Sequence, residues 1–125
     1  MGARYFHFEE AYISLGRDKS IVISRAKNEN FSKRRTVGAS KVDSRSFEIV
    51  VKNNKSQAVE LAIFDQIPKP VINDISVEAT ERSGGVMDPA TGRVKWELLL
   101  SPQERADLVM RYEVKYPKKE RIILE

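Results

Sequence analysis

Apolar residues recur at every second position over most of this chain, and that period admits few folds. Phe47, Ile49 and Val51 share one face of their segment, with Glu48, Val50 and Lys52 on the other. The same alternation sets Val59, Leu61 and Ile63 against Glu60, and Ile75, Val77 and Ala79 against Ser76, Glu78 and Thr80. It continues through Val94, Trp96, Leu98 and Leu100, then through Leu108, Met110, Tyr112, Val114 and Tyr116, with Ile21 and Ile23 as an earlier pair. Successive side chains of a strand point to opposite sides, so each segment makes one dry and one wet face. No segment shows a sustained i, i+3, i+4, i+7 pattern. Pro102 offers a helix start, but the alternation from Leu108 to Tyr116 is unbroken and predicts a strand there.

Turn-forming residues punctuate these segments. Asn53-Asn54-Lys55-Ser56, Ser83-Gly84-Gly85, the stretch "DPATG" at 88–92 and "LSPQE" at 100–104 each separate two strands. Turns at intervals of roughly 8–15 residues predict an all-β antiparallel sandwich of about seven strands. The 125 residues suffice for one hydrophobic core and not two, so residues 1–125 are read as a single domain. The stretch 28–45, "NENFSKRRTVGASKVDSR", is polar and basic and is read as an exposed edge strand or hairpin. Lysine and arginine on an edge discourage pairing with like edges of other chains.

Several kinds of chemistry are excluded or disfavoured. The absence of cysteine removes disulfides, thiolate nucleophiles, iron–sulfur clusters and cysteine zinc sites. A net charge of +4 beside 18 acids is a mild bias, and no aromatic ladder accompanies the basic runs, so no nucleic-acid role is expected. No apolar run approaches the roughly 20 residues that cross a bilayer, so no direct membrane insertion is expected. No signal-peptide pattern opens the chain, and its abrupt start is read as a boundary within a longer protein.

His7 is the only histidine, so a serine triad or a histidine metal site would have to form around it; a packing or surface role is expected instead. Asp65, Asp74, Asp88 and Glu104 lie beside turns, where carboxylates accept bonds from backbone amides, and their spacing picks out no hydrolytic pair. No calcium-loop pattern is present. Asp65 precedes Pro68 and Pro70, which lack N–H groups and force the chain out of the sheet near Ile67. The carboxylate is therefore read as satisfying amides at the strand end, with a ligand contact as the alternative. Asp65, Gln66 and the run Lys33-Arg34-Arg35 are the candidate ligand or partner contacts. Asn30-Phe31-Ser32 and Asn54-Lys55-Ser56 match the glycosylation acceptor pattern, which matters only in a secreting eukaryote. Trp96 is expected in the core against the opposing sheet.

Three stretches together, "YISLGRDKSIVISR" (12–25), "FEIVVKNNKSQAVELAIFDQIP" (47–68) and "VKWELLLSPQERADLVMRYEVKYP" (94–117), resemble the C-terminal domain of the mucoidy inhibitor A family. The shared motifs are Leu15, Gly16, Asp18 and Ile21; Asp65, Gln66, Ile67 and Pro68; and Trp96, Leu98, Leu100 and Pro102. The family often has glycine where this chain has Gln103, so a turn without positive φ is expected there. The resemblance implies an immunoglobulin-like sandwich at the end of a longer bacterial cell-envelope protein with a helical middle. It carries over no catalytic residue and places the domain in the periplasm or at the cell surface. The expected role is therefore non-catalytic, with no cofactor or metal: protein interaction or structural support, through an edge strand or one exposed sheet face. Val50 and Leu99 are the apolar candidates for such a face. Partners would be other domains of the same chain or an envelope protein. The alternative is a carbohydrate-binding module for envelope polysaccharide, with Tyr5, Phe6, Phe8 and Tyr12 as its aromatic platform.

Overall fold

The computed structural model describes residues 4–7, 12–13, 20–70, 73–122 and 124. The alternating segments are all strands, and among the described residues there is no α-helix. In chain order they are β1 (Arg4–His7), β2 (Tyr12–Ile13), β3 (Ile21–Lys27), β4 (Lys33–Val37), β5 (Ser40–Asn53), β6 (Val59–Gln66), β7 (Ser76–Glu81), β8 (Val86–Met87), β9 (Arg93–Leu100) and β10 (Arg105–Pro117). A single 3-10 turn at Glu29–Phe31 separates β3 from β4.

These strands form two facing sheets, the expected β-sandwich. One sheet has the order β2-β1-β6-β9-β8, the other β3-β5-β10-β7. The fourteen-residue β5 is long enough to take β3 along its second half and β4 along its first. Every pairing is antiparallel except that of β1 with β6. Among the described residues the strands number ten rather than about seven. The surplus lies mainly in β1, β2 and β8, of four, two and two residues, too short for alternation to show.

The core holds the faces that the alternation assigns to it. Phe47, Ile49 and Val51 of β5 and Leu108, Met110, Tyr112, Val114 and Tyr116 of β10 are buried. They face Leu61 and Ile63 of β6 and Val94, Trp96 and Leu100 of β9. Phe47 and Tyr112 stack with ring centroids 6.2 Å apart. Full burial of one such side chain contributes about 1.5–3 kcal/mol, so this shared dry layer dominates stability. The Trp96 indole Nε1 donates to the Arg82 carbonyl at 2.6 Å, which satisfies its polar atom inside the core.

The turns do more than reverse the chain. Ile67 donates its N–H to the Gly92 carbonyl at 2.9 Å, and a Cβ at Gly92 would lie 2.2 Å from the Ile67 carbonyl oxygen. Gly92 has φ +79, so glycine is required there on both counts. This contact fixes where β6 leaves the sheet, one residue before Pro68. The β9–β10 turn departs from expectation: Gln103 has φ +66 without being glycine. Its amide Nε2 donates to the carbonyls of Asn54 and Lys55 at 3.1 and 3.2 Å, which anchors the left-handed residue to the neighbouring loop.

Candidate functional site

Asp65 sits on the core face of β6, in step with Leu61 and Ile63, and is buried. Its Oδ1 accepts the backbone N–H of Gln66 at 2.7 Å, the strand-end role read from its place before the prolines. It also has a partner that the local sequence did not reveal. Arg25 of β3, in the opposite sheet, donates Nε to Asp65 Oδ2 at 2.8 Å and Nη2 to Oδ1 at 3.2 Å. The guanidinium lies 4.1 Å from the centre of the Phe47 ring. Two parallel charge-assisted bonds and a ring face therefore hold one arginine across the gap between sheets. Gln66 points elsewhere: its Nε2 donates to the Thr91 carbonyl at 2.5 Å and the Ile67 carbonyl at 3.0 Å, bracing the 88–92 turn.

A second buried acid, Asp43, lies on the core face of β5, six residues before Ile49. Arg34 donates to it twice, Nε at 2.8 Å and Nη2 at 3.0 Å. Tyr116 Oη donates to Oδ1 at 3.1 Å, and an Arg45 guanidinium nitrogen lies 3.9 Å from Oδ2. Burial and the bond to Asp43 push the Tyr116 phenol above the usual tyrosine pKa. The same carboxylate pushes Arg34 above the usual arginine value. Arg35 reaches Glu113 of β10 at 3.6 Å, on the opposite face of the sheet. Lys33, Arg34 and Arg35 thus lie on an exposed edge strand, as the polar stretch implied, with both arginines engaged by acids of their own sheet.

The five candidate contact residues do not converge. Arg25 lies beside Ile49 of β5 and Arg34 beside Asp43, about 20 Å apart along the strand. The residues missed from sequence are Arg25, Asp43 and Asn53. All three share a legible signal, a polar residue in register with a dry face. Asn53 is buried and shares its Nδ2 hydrogens among the carbonyls of Gln57, Leu100 and Ser101 at 2.9, 3.2 and 3.0 Å. It ties the end of β5 to the end of β9 in the other sheet.

Turn acids serve their own backbone. Asp88 Oδ1 accepts from Ala90 N–H at 2.9 Å, and Glu104 Oε1 from Ser101 N–H at 2.7 Å. Glu81 Oε1 accepts from Ser83 and Arg82, and these bonds hold its carboxyl below the usual glutamate pKa. Among the described residues no three or more histidine, aspartate or glutamate side chains gather as a metal would require. Leu99 is exposed as expected, at 68 %, whereas Val50 is half-buried. A shallow groove of about 350 Å³ runs between β6 and β9, lined by Glu60, Ala62, Lys95, Glu97 and Leu99 among others. Beside it Arg93 lies over the ring of Phe64, 4.1 Å from its centre. The side chains of His7, Tyr5, Phe6 and Tyr12, together with Phe8, Leu15, Gly16 and Asp18, lie outside the described residues.

No curated protein and no solved structure matches this chain. A family model, described as a domain of unknown function (DUF4139), matches residues 4–118. That span takes in every strand described above, and the chain belongs to this DUF4139 family.

Proposed function

We propose that this domain is a non-catalytic module of a larger bacterial cell-envelope protein of the mucoidy inhibitor A kind, serving protein interaction or structural support. One observation carries the reading: among the described residues, both buried carboxylates are held by arginines in bonds that join strands or sheets, Asp65 by Arg25 and Asp43 by Arg34. A catalytic acid works in a cleft, with its pKa tuned by burial or a like charge and a substrate within reach. Asp65 and Asp43 are instead fastened into the body of the fold, and the turn acids Glu81, Asp88 and Glu104 accept from backbone N–H groups of their own turns. The motifs at Asp65–Pro68 and Trp96–Pro102 support the envelope placement through the family they resemble.

Cell fractionation tests the placement. The full reading frame, tagged, is expected to leave the cell with the periplasmic or surface fraction; retention in the cytosol overturns it. The non-catalytic part is overturned by any turnover that Asp65→Asn or Asp43→Asn abolishes in protein that remains folded.

A further inference from the structure

The two outer strands of one sheet carry opposite charge at the same height. β4 holds Lys33, Arg34 and Arg35 and no acid, and all five of its residues are exposed. β7 holds Glu78 and Glu81 and no cation. Among the described residues β4 pairs only with β5 and β7 only with β10, so each offers an outward edge. The registers align them across the sheet: Lys33 is level with Ser44, Glu113 and Glu78, and Arg35 with Val42, Lys115 and Ser76. Each neighbouring pair in this four-strand row is antiparallel, so β4 and β7 run in opposite directions.

From this arrangement we propose that β4 of one copy of this domain pairs with β7 of a second copy, extending the sheet from molecule to molecule. A sideways step sets the two strands antiparallel. In a row of antiparallel strands, a residue whose backbone points inward at one edge has a level partner pointing inward at the other. The two outward edges therefore match in hydrogen-bonding phase without an axial shift. That step brings Lys33 opposite Glu78 of the second copy and Arg35 diagonal to it, within reach of long side chains. The charges also set the partner. Two β4 edges repel, as do two β7 edges, and only the unlike pair attracts. The edges differ, so the contact is head-to-tail and one free edge of each kind survives every addition. This names a partner for the interaction-module reading and rests on it. A failure here leaves the fractionation test above to decide that reading by itself.

Sedimentation velocity on the 125-residue chain over a concentration series at low salt tests the pairing. The average mass is expected to climb past that of a dimer, and association to weaken about tenfold or more in roughly 1 M salt, where the screening length is about 3 Å. Lys33→Glu sets an acid against Glu78 at the level pair of the contact, and Glu78→Lys sets a cation against Lys33 there. Both positions are exposed, so circular dichroism is expected to match that of the parent. Each variant alone is expected to stay monomeric, and an equimolar mixture of the two to associate again. A parent chain that stays monomeric at low salt, variants that associate as the parent does, or a mixture that stays monomeric would overturn the pairing.

Discussion

Arg25 and Asp65 are 40 positions apart in the chain and 2.8 Å apart in the fold. Asp65 alone looks like a strand-end acid, and that much was legible from Pro68 and Pro70. Its partner was not, because nothing local says which of 22 cations faces it. The parity of Arg25 with Ile21 and Ile23 was the available clue: an arginine in a dry register needs an acid across the gap. Side-chain exposure is 15% for Arg25 and 2% for Asp65, so the pair is mostly withdrawn from water. Removing one member of such a pair costs far more than the net value of the pair, since the other charge stays buried. Asp65→Ala is expected to lower unfolding free energy by about 3 kcal/mol. The double variant Arg25→Leu, Asp65→Leu should recover more than half of that loss. Urea unfolding of Arg25→Leu, of Asp65→Leu and of the double variant decides it; additive costs would mean that the two charges act independently.

At the level of elements, length decided what could be read. β5 and β10, of fourteen and thirteen residues, repeat the period often enough to be unmistakable, and their dry faces fill the core as the pattern requires. The two residues of β8 carry no period and join the sheet only because β9 lies beside them. The 28–45 stretch reads correctly as an edge hairpin, yet its second half enters β5 and buries Val42 and Asp43. Asp43 is tolerated there because Arg34, Arg45 and Tyr116 surround it, a tertiary fact with no local signature. Turn chemistry misled in the β9–β10 connection. A non-glycine residue suggested ordinary φ, but the loop over Asn54 and Lys55 holds Gln103 at +66 through its side chain. Gln103→Gly and Gln103→Ala both delete those bonds, so comparing them isolates the backbone. The glycine variant is expected to be more stable by about 1 kcal/mol in thermal or urea unfolding. Equal stabilities would mean that the turn relaxes out of the left-handed region when the side chain is lost.

For the molecule as a whole, the two sheets are joined by a dry layer and by polar ties at separate points along it: Arg25 to Asp65, Asn53 to the β9 end, and Trp96 to Arg82. The Asp43 cluster lies within one sheet, where it ties β4, β5 and β10 together through Arg34 and the Tyr116 hydroxyl, and it makes stability depend on pH in a definable direction. Burial first, and the bond to Asp43 second, raise the Tyr116 pKa above its usual value of 10.0. The folded state thus binds the phenol proton more tightly than the unfolded chain does. A group with a raised folded pKa contributes fully below its unfolded value and loses that contribution as pH climbs. The alkaline limb of the stability curve should therefore begin to fall near pH 10 and continue downward above it. Lysines titrate in the same range, so the limb alone does not identify its source. Tyr116→Phe supplies the comparison. It should cost about 1 kcal/mol near neutrality, where the hydroxyl bond is lost, and then run flatter than the parent above that threshold. Parallel alkaline limbs for the two proteins would show that Asp43 and the buried phenol do not govern the loss.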